Sequence, residues 1–529
     1  MQGYQRRAPS AATGVGQLKI QDAFLTRQTS VHGAPQHPGA FAVNNPDREN
    51  AAPPTFRQIV VQQFTNLGRS KGMQIEHAVN RIVKRCIRVI KRRVGIGGRG
   101  VLHFYFPQCG IVVNLHKNEV NAMKKMQLPG WVIFLMIIGW ACSQTTPVML
   151  GNEVLLQDYL HLVQGKRVGL ITNPTGVNSR LEPTIDVLAA HPQIQLTALF
   201  GPEHGVRGDI TAGATVETFN DPRTGIPIYS LYGRTRRPTD DMLRNVDVLM
   251  YDIQDIGSRA YTYIYTMALA MEAARDKQIP FIVLDRPNPL GGLLVEGPVL
   301  DTVFSSFIGL YPIPFVYGMT VGELAQLFNR EFGINCDLKV VPMKGWKRKM
   351  LYEDTGLEWV ITSPHVPHAR SARFAAATGI IGELQTIDIG IGYTLPFELT
   401  GEAWIDGERL ARELNARQLP GIIFRPVHYR PYYFTRRDSD LQGIQLHITD
   451  LRRFKPQRTQ IHILTAICKL FPDQPFFQTE RTRSFDRAMG TDQVRLAAAR
   501  GKSAEEIIAG WQKELDQFKQ TRAKYLIYR

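Results

Sequence analysis

Residues 247–259 read DVLMYDIQDIGSR, a short apolar run that ends abruptly in carboxylates, a glycine and an arginine. An apolar run of that length, closed by turn residues, predicts a buried strand. The same grammar recurs three times. Arg167 to Thr172 (RVGLIT) leads into Asn173, Pro174, Thr175 and Gly176. Gln195 to Phe200 (QLTALF) leads into Gly201, Pro202, Glu203, His204 and Gly205. Pro280 to Leu284 (PFIVL) leads into Asp285, Arg286, Pro287, Asn288 and Pro289. Helix-like stretches separate several of these runs, most clearly Tyr263 to Lys277 (YIYTMALAMEAARDK). Strand–helix–strand alternation predicts an α/β fold with a parallel sheet covered by helices on both faces. Ligands of open α/β sheets bind outside the carboxyl ends of the strands. Four polar strand ends in succession therefore point to one shared polar site, against the plainer reading that each only caps a turn.

The chain has 529 residues, 44% hydrophobic and 21% charged, which excludes a wholly disordered chain and a disulfide-stapled miniprotein. Its formal charge of +16 is unevenly placed. Residues 1–122 hold 17 basic and 5 acidic side chains, so the remaining 407 residues are nearly balanced. No nucleic-acid partner is expected for that remainder. Residues 1–60 are rich in Gln, Ala, Pro and Asn and read as disordered. Residues 81–93 (RIVKRCIRVIKRR) read as a solvated amphipathic helix, with an RNA or membrane-surface contact as the alternative. Gly95, Gly97 and Gly100, with Glu119 beyond them, match a dinucleotide-binding spacing, but a strand-like run from Val101 to Phe106 follows where a helix should open.

At Met123 the pattern changes. A basic start (MKKM), an apolar run from Trp131 to Trp140 and Gly139-Trp140-Ala141-Cys142 form the layout of a secretory signal in residues 123–142, too short for an ordinary transmembrane helix. Its closing cysteine resembles a bacterial lipoprotein signal and marks Cys142 for lipidation. Plain secretion and a buried apolar segment are the alternatives. The expectation is an exported lipoprotein anchored to the membrane and facing the periplasm. Residues 1–122 are then either upstream sequence added by a start-site error or a basic cytoplasmic extension. Of the five cysteines, Cys336 and Cys468 remain in the large part and lack metal-ligand spacing, so two free thiols are expected.

No Walker A sequence, G-x-S-x-G elbow or H-E-x-x-H motif accompanies the strand ends, and no cofactor is expected. Two chemistries stay open: acid/base work by paired carboxylates, and metal-assisted hydrolysis with Asp252, Asp255, Asp285 and His204 as ligands.

At these residues the chain resembles the NamZ-type exo-β-N-acetylmuramidases. The matching stretches are NPTGV (173–177), FGPEHGVRG (200–208), IPIYSLYG (226–233), YDIQDIGSRAYTY (251–263), VLDRPNPLGG (283–292), VEGP (295–298), GMTVGELAQLFN (318–329), PFELTGEAWID (396–406) and FRPVHYRP (424–431). The resemblance spans about residues 148–529 and does not reach 1–122. It departs at His365 to His368 and at residues 389–395. Loop histidines are expected at His365 and His368, with a metal pair as the alternative.

The resemblance implies a Rossmann-like parallel-sheet N-terminal domain (148–370) and a smaller α+β C-terminal domain (371–529). It also implies an enzyme that releases N-acetylmuramic acid from the non-reducing ends of peptidoglycan fragments. Glu203 is then the catalytic acid, oriented by His204, with Asp252 or Asp255 as the partner carboxylate. A carboxyl group can donate a proton at neutral pH only when its pKa is raised. Asp285, Glu296 and Glu398 are weaker partners, and a route assisted by the substrate's own acetamido group is open. Arg259 and Arg286 are candidates for the lactyl carboxylate, because a guanidinium matches a planar carboxylate by two hydrogen bonds; the competing reading pairs them with Asp255 and Asp285. Tyr232, Tyr261 and Tyr263 are candidates for sugar stacking. The motifs add Asn173, Arg207, Ser258 and Asn288 as substrate contacts. A lipoprotein that binds muropeptides without cutting them is the alternative function.

Overall fold

The computed structural model describes residues 101–106, 111–116, 148–203, 205–208, 219–233, 235–474, 476–477 and 479–529. The signal region, Cys142 and His204 lie outside the described residues. The chain divides into a unit of residues 1–133 and a unit of residues 134–529. In the first, strands β1 (Val101–Phe106) and β2 (Ile111–His116) form an antiparallel hairpin with Phe106 opposite Ile111. The glycines before Val101 thus lead into a strand, as the sequence suggests, and not into the helix that a dinucleotide site needs.

The second unit carries the predicted sheet. Helix α1 (Gly151–Asp158) precedes β3 (Arg167–Thr172), α2 (Thr184–Ala189) precedes β4 (Gln195–Gly201), and β5 (Phe219–Asn220), β6 (Pro227–Ser230) and β7 (Val248–Asp252) follow. Next come α3 (Tyr263–Lys277), β8 (Phe281–Leu284), β9 (Glu296–Val299), β10 (Pro314–Val316), α4 (Val321–Glu331) and β11 (Leu338–Val341). Seven strands join in the order β11-β8-β7-β3-β4-β6-β5, parallel throughout except for β5 against β6. All four strands expected from the apolar runs are present, and the α/β expectation holds.

The runs are apolar at every position because both faces are covered. In β7 all five residues are buried. Leu249 and Tyr251 face one core with Met267 and Met271 of α3 and Leu324 and Phe328 of α4. Val248 and Met250 face the other, with Val154 and Leu155 of α1 and Ile185 and Leu188 of α2. Helix α4 starts at Thr320, whose hydroxyl accepts from Glu323 N while Glu323 accepts from Thr320 N. That reciprocal cap satisfies two otherwise orphaned donors.

The C-terminal part contains α5 (Ala369–Gly382), β12 (Leu399–Glu402), α6 (Gly407–Ala416), β13 (Ile422–Tyr429), β14 (Leu441–Ile448) and α7 (Pro456–Leu470). It closes with α8 (Thr482–Met489), α9 (Gln493–Ala499), α10 (Ala504–Gly510) and α11 (Gln512–Ala523). Its sheet is antiparallel, in the order β12-β14-β13. The segment 503–522, whose Ala, Glu and Lys residues predict one amphipathic helix, is two helices. Gly510 has the weakest helix propensity available short of proline, and the chain bends at Trp511, whose indole is buried in the core. Beyond α11 the chain returns to the parallel sheet. Tyr528 donates to Asp285 Oδ2 (2.6 Å) and accepts from Met343 N (2.9 Å). Cys336 and Cys468 are free thiols. Among the described residues no helix is long and apolar enough to cross a membrane.

Candidate active site

Strand β4 ends at Gly201, whose carbonyl accepts from Leu231 N (2.8 Å) just beyond β6. The chain then turns tightly: Gly205 N donates to Pro202 O (3.0 Å), and Gly205 sits at φ +73°, a region open to glycine at no steric cost. Glu203 lies within this turn, half-buried, at the carboxyl end of the sheet. The Tyr232 phenol, just beyond the neighbouring strand β6, lies close enough for the Glu203 carboxylate to act on its titration. Burial, then the Glu203 carboxylate, holds that phenol above its usual pKa.

Tyr263, the first residue of α3, is buried beside them and donates to Thr362 O (2.8 Å). Burial drives its phenol well above the ordinary range, reinforced by Tyr261 and by the charge of Glu203. The Tyr261 ring meets Tyr263 edge-on at 4.9 Å, and burial pushes its phenol up to about 12. From β3 comes Asn173, only 2% exposed. Its Oδ1 accepts from Thr175 N (3.0 Å) and Thr175 Oγ1 (2.5 Å). Its Nδ2 faces the Tyr263 phenol and completes no hydrogen bond. The Tyr261 hydroxyl and Thr362 Oγ1 are likewise without a partner. Buried polar groups are normally satisfied, and these three unsatisfied ones lie together about Tyr263.

Of the residues expected from sequence, Glu203, Asn173, Tyr232, Tyr261 and Tyr263 lie together here. Most of the other carboxylates make internal hydrogen bonds of their own, although the charge of Asp255 is felt at Tyr261. Asp252 is fully buried and accepts from Arg286 Nε (2.6 Å), Arg286 Nη2 (2.9 Å), Thr184 Oγ1 (2.6 Å) and Asn152 Nδ2 (3.4 Å). Asp255 accepts from Gly257 N (2.7 Å) and the Tyr317 phenol, and burial lifts it to about 6. Asp285 accepts from Tyr528, Thr320 Oγ1 (2.7 Å), Gly322 N (2.8 Å) and Arg286 N (3.0 Å); burial still lifts it to about 7. Glu296 caps α7, accepting from Gln457 N (3.3 Å), with burial raising it to about 7. Glu398 lies by Arg370 and His368, its pKa raised by burial against their charge. Asp252, Asp255 and Asp285 are thus each held by internal hydrogen bonds.

The arginines are corrected in the same way. The Arg286 guanidinium pairs with Asp252 and not with Asp285. Arg259 is wholly buried and meets no carboxylate among the described residues: it donates to the carbonyls of Pro298 (3.1 Å), Ile313 (3.1 Å), Ala488 (2.9 Å) and Met489 (2.6 Å). Burial pulls it down to about 10. Arg207 bridges Asp221 (2.8 Å) and Asp186 (3.0 Å). Asn288 donates to Met319 O (2.8 Å) and accepts from Leu290 N (2.9 Å), holding its own turn. Ser258 is buried in a backbone bridge to Val316. Among the described residues no three His, Cys, Asp or Glu side chains gather as a metal set. The proposed ligands Asp252, Asp255 and Asp285 hold separate internal bonds instead.

Sequence reading missed Thr362 and Ser363. They come to Tyr261 and Tyr263 from about 100 positions downstream with no local motif.

With this geometry in view, the relatives are informative. Residues 168–370 match the family model for the N-terminal part of exo-β-N-acetylmuramidase NamZ, and residues 376–528 match the model for its C-terminal part. The chain is 50% identical over 381 residues to the peptidoglycan β-N-acetylmuramidase NamZ of Bacillus subtilis (strain 168), covering 72% of this chain and 91% of that one. Two crystal structures of DUF1343 family proteins from Bacteroides fragilis NCTC 9343 share the fold. One is 46% identical, with a TM-score of 0.69, over 73% of this chain and all of that one. The other is 29% identical, with a TM-score of 0.58, over 73% of this chain and 99% of that one. The chain belongs to the NamZ exo-β-N-acetylmuramidase family.

Proposed function

We propose that the protein is an exo-acting glycoside hydrolase that releases N-acetylmuramic acid from the non-reducing ends of peptidoglycan fragments. The supporting observation is the placement of Glu203: a half-buried acid at a strand end, against a phenol and beside unsatisfied buried polar groups. Glu203 donates its proton to the glycosidic oxygen as the bond to the anomeric carbon breaks. Asp252, Asp255 and Asp285 are turned inward, so the nucleophile is assigned to the substrate's own acetamido oxygen. That oxygen bonds to the anomeric carbon, and the resulting ring is opened by water, which returns a proton to Glu203. Asn173 Nδ2 and the Tyr261 hydroxyl are the groups that hold the acetamide.

Two displacements at one carbon retain configuration. Proton NMR during hydrolysis of a β-glycoside of N-acetylmuramic acid is expected to show the β-anomer first. The α-anomer appearing first would remove the acetamido step. Colour release from a chromogenic N-acetylmuramic acid glycoside tests the activity itself, and EDTA is expected to leave the rate unchanged. Binding without colour release would favour the muropeptide-binding alternative, and a loss on EDTA treatment restored by a divalent ion would favour the metal route.

For location, we propose a lipoprotein anchored through Cys142 and exported across the membrane. The support is the signal-like layout of residues 123–142. Intact mass of the native protein is expected to show acyl chains on a chain beginning at Cys142; an unmodified chain retaining residues 1–122 would contradict it.

A further inference from the structure

In the second unit the described residues begin at Val148, six positions after Cys142. Val148 N donates to Thr355 O (2.9 Å), and Met149 exchanges two backbone hydrogen bonds with Lys344 (3.0 Å each). Val148 packs with Met343 and Trp346. The chain therefore joins the sheet beside residues 343–350, MKGWKRKM. Six residues reach at most about 21 Å, so a lipid on Cys142 would hold this face close to a bilayer.

The face is basic and carries an exposed leucine. Lys347 to Met350 form a tight turn, closed by Met350 N on Lys347 O (2.9 Å). The turn buries Arg348, which pairs with Glu323, and leaves Lys347 and Lys349 exposed. Gly292 N donates to Arg348 O (2.9 Å), which sets Leu293, 69% exposed, beside Lys349. From the C-terminal part, Arg452 Nη1 donates to Lys349 O (3.0 Å), and the exposed Arg453 follows it. Among the described residues Lys347, Lys349 and Arg453 take part in no ion pair. The nearby acids are engaged: Asp354 with Arg452 (2.7 Å), Glu353 with Arg373 (2.9 Å) and Asp158 with Lys344 (2.5 Å). Leu293, Leu451 and Phe454 line a groove of about 840 Å³ between the two parts of the unit.

We infer that this face, with Lys347, Lys349 and Arg453 around Leu293, docks on an anionic phospholipid bilayer. The inference rests on the lipoprotein reading above and says which way the anchored enzyme lies. Unpaired cations are drawn to a negatively charged leaflet, and an exposed apolar group rimmed by polar ones marks an interaction surface. Glu203 follows β4, three strands along from β8 at the same end of the sheet, roughly 14 Å away at ordinary strand spacing. The acid thus lies to one side of the docked patch.

The test compares the native acylated protein with a variant combining Lys347→Gln, Lys349→Gln and Arg453→Gln, both reconstituted in vesicles. Flotation reads the anchor, and hydrogen exchange reads the face. Three charges at an anionic surface are together worth roughly 100-fold in partitioning. In parent protein on vesicles containing phosphatidylglycerol at low salt, amides of residues 291–294, 345–351 and 451–455 are expected to exchange about 10-fold more slowly than on phosphatidylcholine alone. High salt removes that protection, and so does the triple variant, whose turnover of a soluble chromogenic glycoside stays that of the parent. Equal exchange on both kinds of vesicle, or protection that survives in the variant, overturns the inference.

Should the native protein not float with the vesicles, the lipoprotein reading falls, and exchange of the unanchored protein mixed with vesicles of pure phosphatidylglycerol decides the face separately. Protection of the same three segments supports it; its absence sinks it.

Discussion

Glu203→Gln is expected to lower kcat on a muramic-acid disaccharide by roughly 10²- to 10⁴-fold, the range that a positioned proton donor contributes. The amide keeps the size and polarity of the side chain but has no acidic proton to give. Glu203 is half-buried in a turn, with no ion pair among the described residues, so the melting temperature should move by about 1 °C or less. Kinetics and thermal melting of the same preparation check both halves. Undiminished turnover would remove Glu203 from the reaction; loss of folding would leave it as a structural residue.

The opposite pattern is expected at Asp252. Its carboxylate and the Arg286 guanidinium are 0% and 3% exposed and bound by two hydrogen bonds. Removing one partner of a buried ion pair leaves an uncompensated charge in a low dielectric and costs about 3–5 kcal/mol. Asp252→Ala also strands Thr184 Oγ1 and Asn152 Nδ2, which donate to the same carboxylate. The melting temperature should fall by on the order of 10 °C. Activity per folded molecule, measured well below that temperature, should stay within a few-fold of the parent. Adding Arg286→Met should recover much of the stability, since removing both partners of a buried pair is often close to neutral. A variant with normal stability and abolished turnover would restore Asp252 to the chemistry.

These two positions show what can be read from the chain and what cannot. Strands β3, β4, β7 and β8 were legible because a strand covered on both faces must be apolar throughout. Strands β6 (PIYS) and β11 (LKVV) are four residues each, nearer the sheet edges and less fully buried, and neither was singled out. The strand ends were legible as a set, and Glu203, Asn173, Tyr232, Tyr261 and Tyr263 lie together at these ends. The remaining charges were assigned to a ligand because a sequence shows that Asp252 and Arg286 follow strands, not that they face each other across neighbouring strands, 34 residues apart. Arg259 is the extreme case: two of its carbonyl partners are 229 and 230 residues away. Thr362 reaches Tyr263 from 99 residues downstream, with nothing local to announce it.

The central claim, that Glu203 delivers the proton to the departing oxygen, makes one more demand. The need for a proton fades as the leaving group becomes a stabler anion. Glu203→Ala and the parent can be compared on two β-glycosides of N-acetylmuramic acid, one with a dinitrophenolate leaving group and one with a simple alkoxide. The variant should come close to the parent in the rate of glycosidic cleavage on the first and fall by orders of magnitude on the second. An equal deficit on both substrates would contradict proton donation by Glu203.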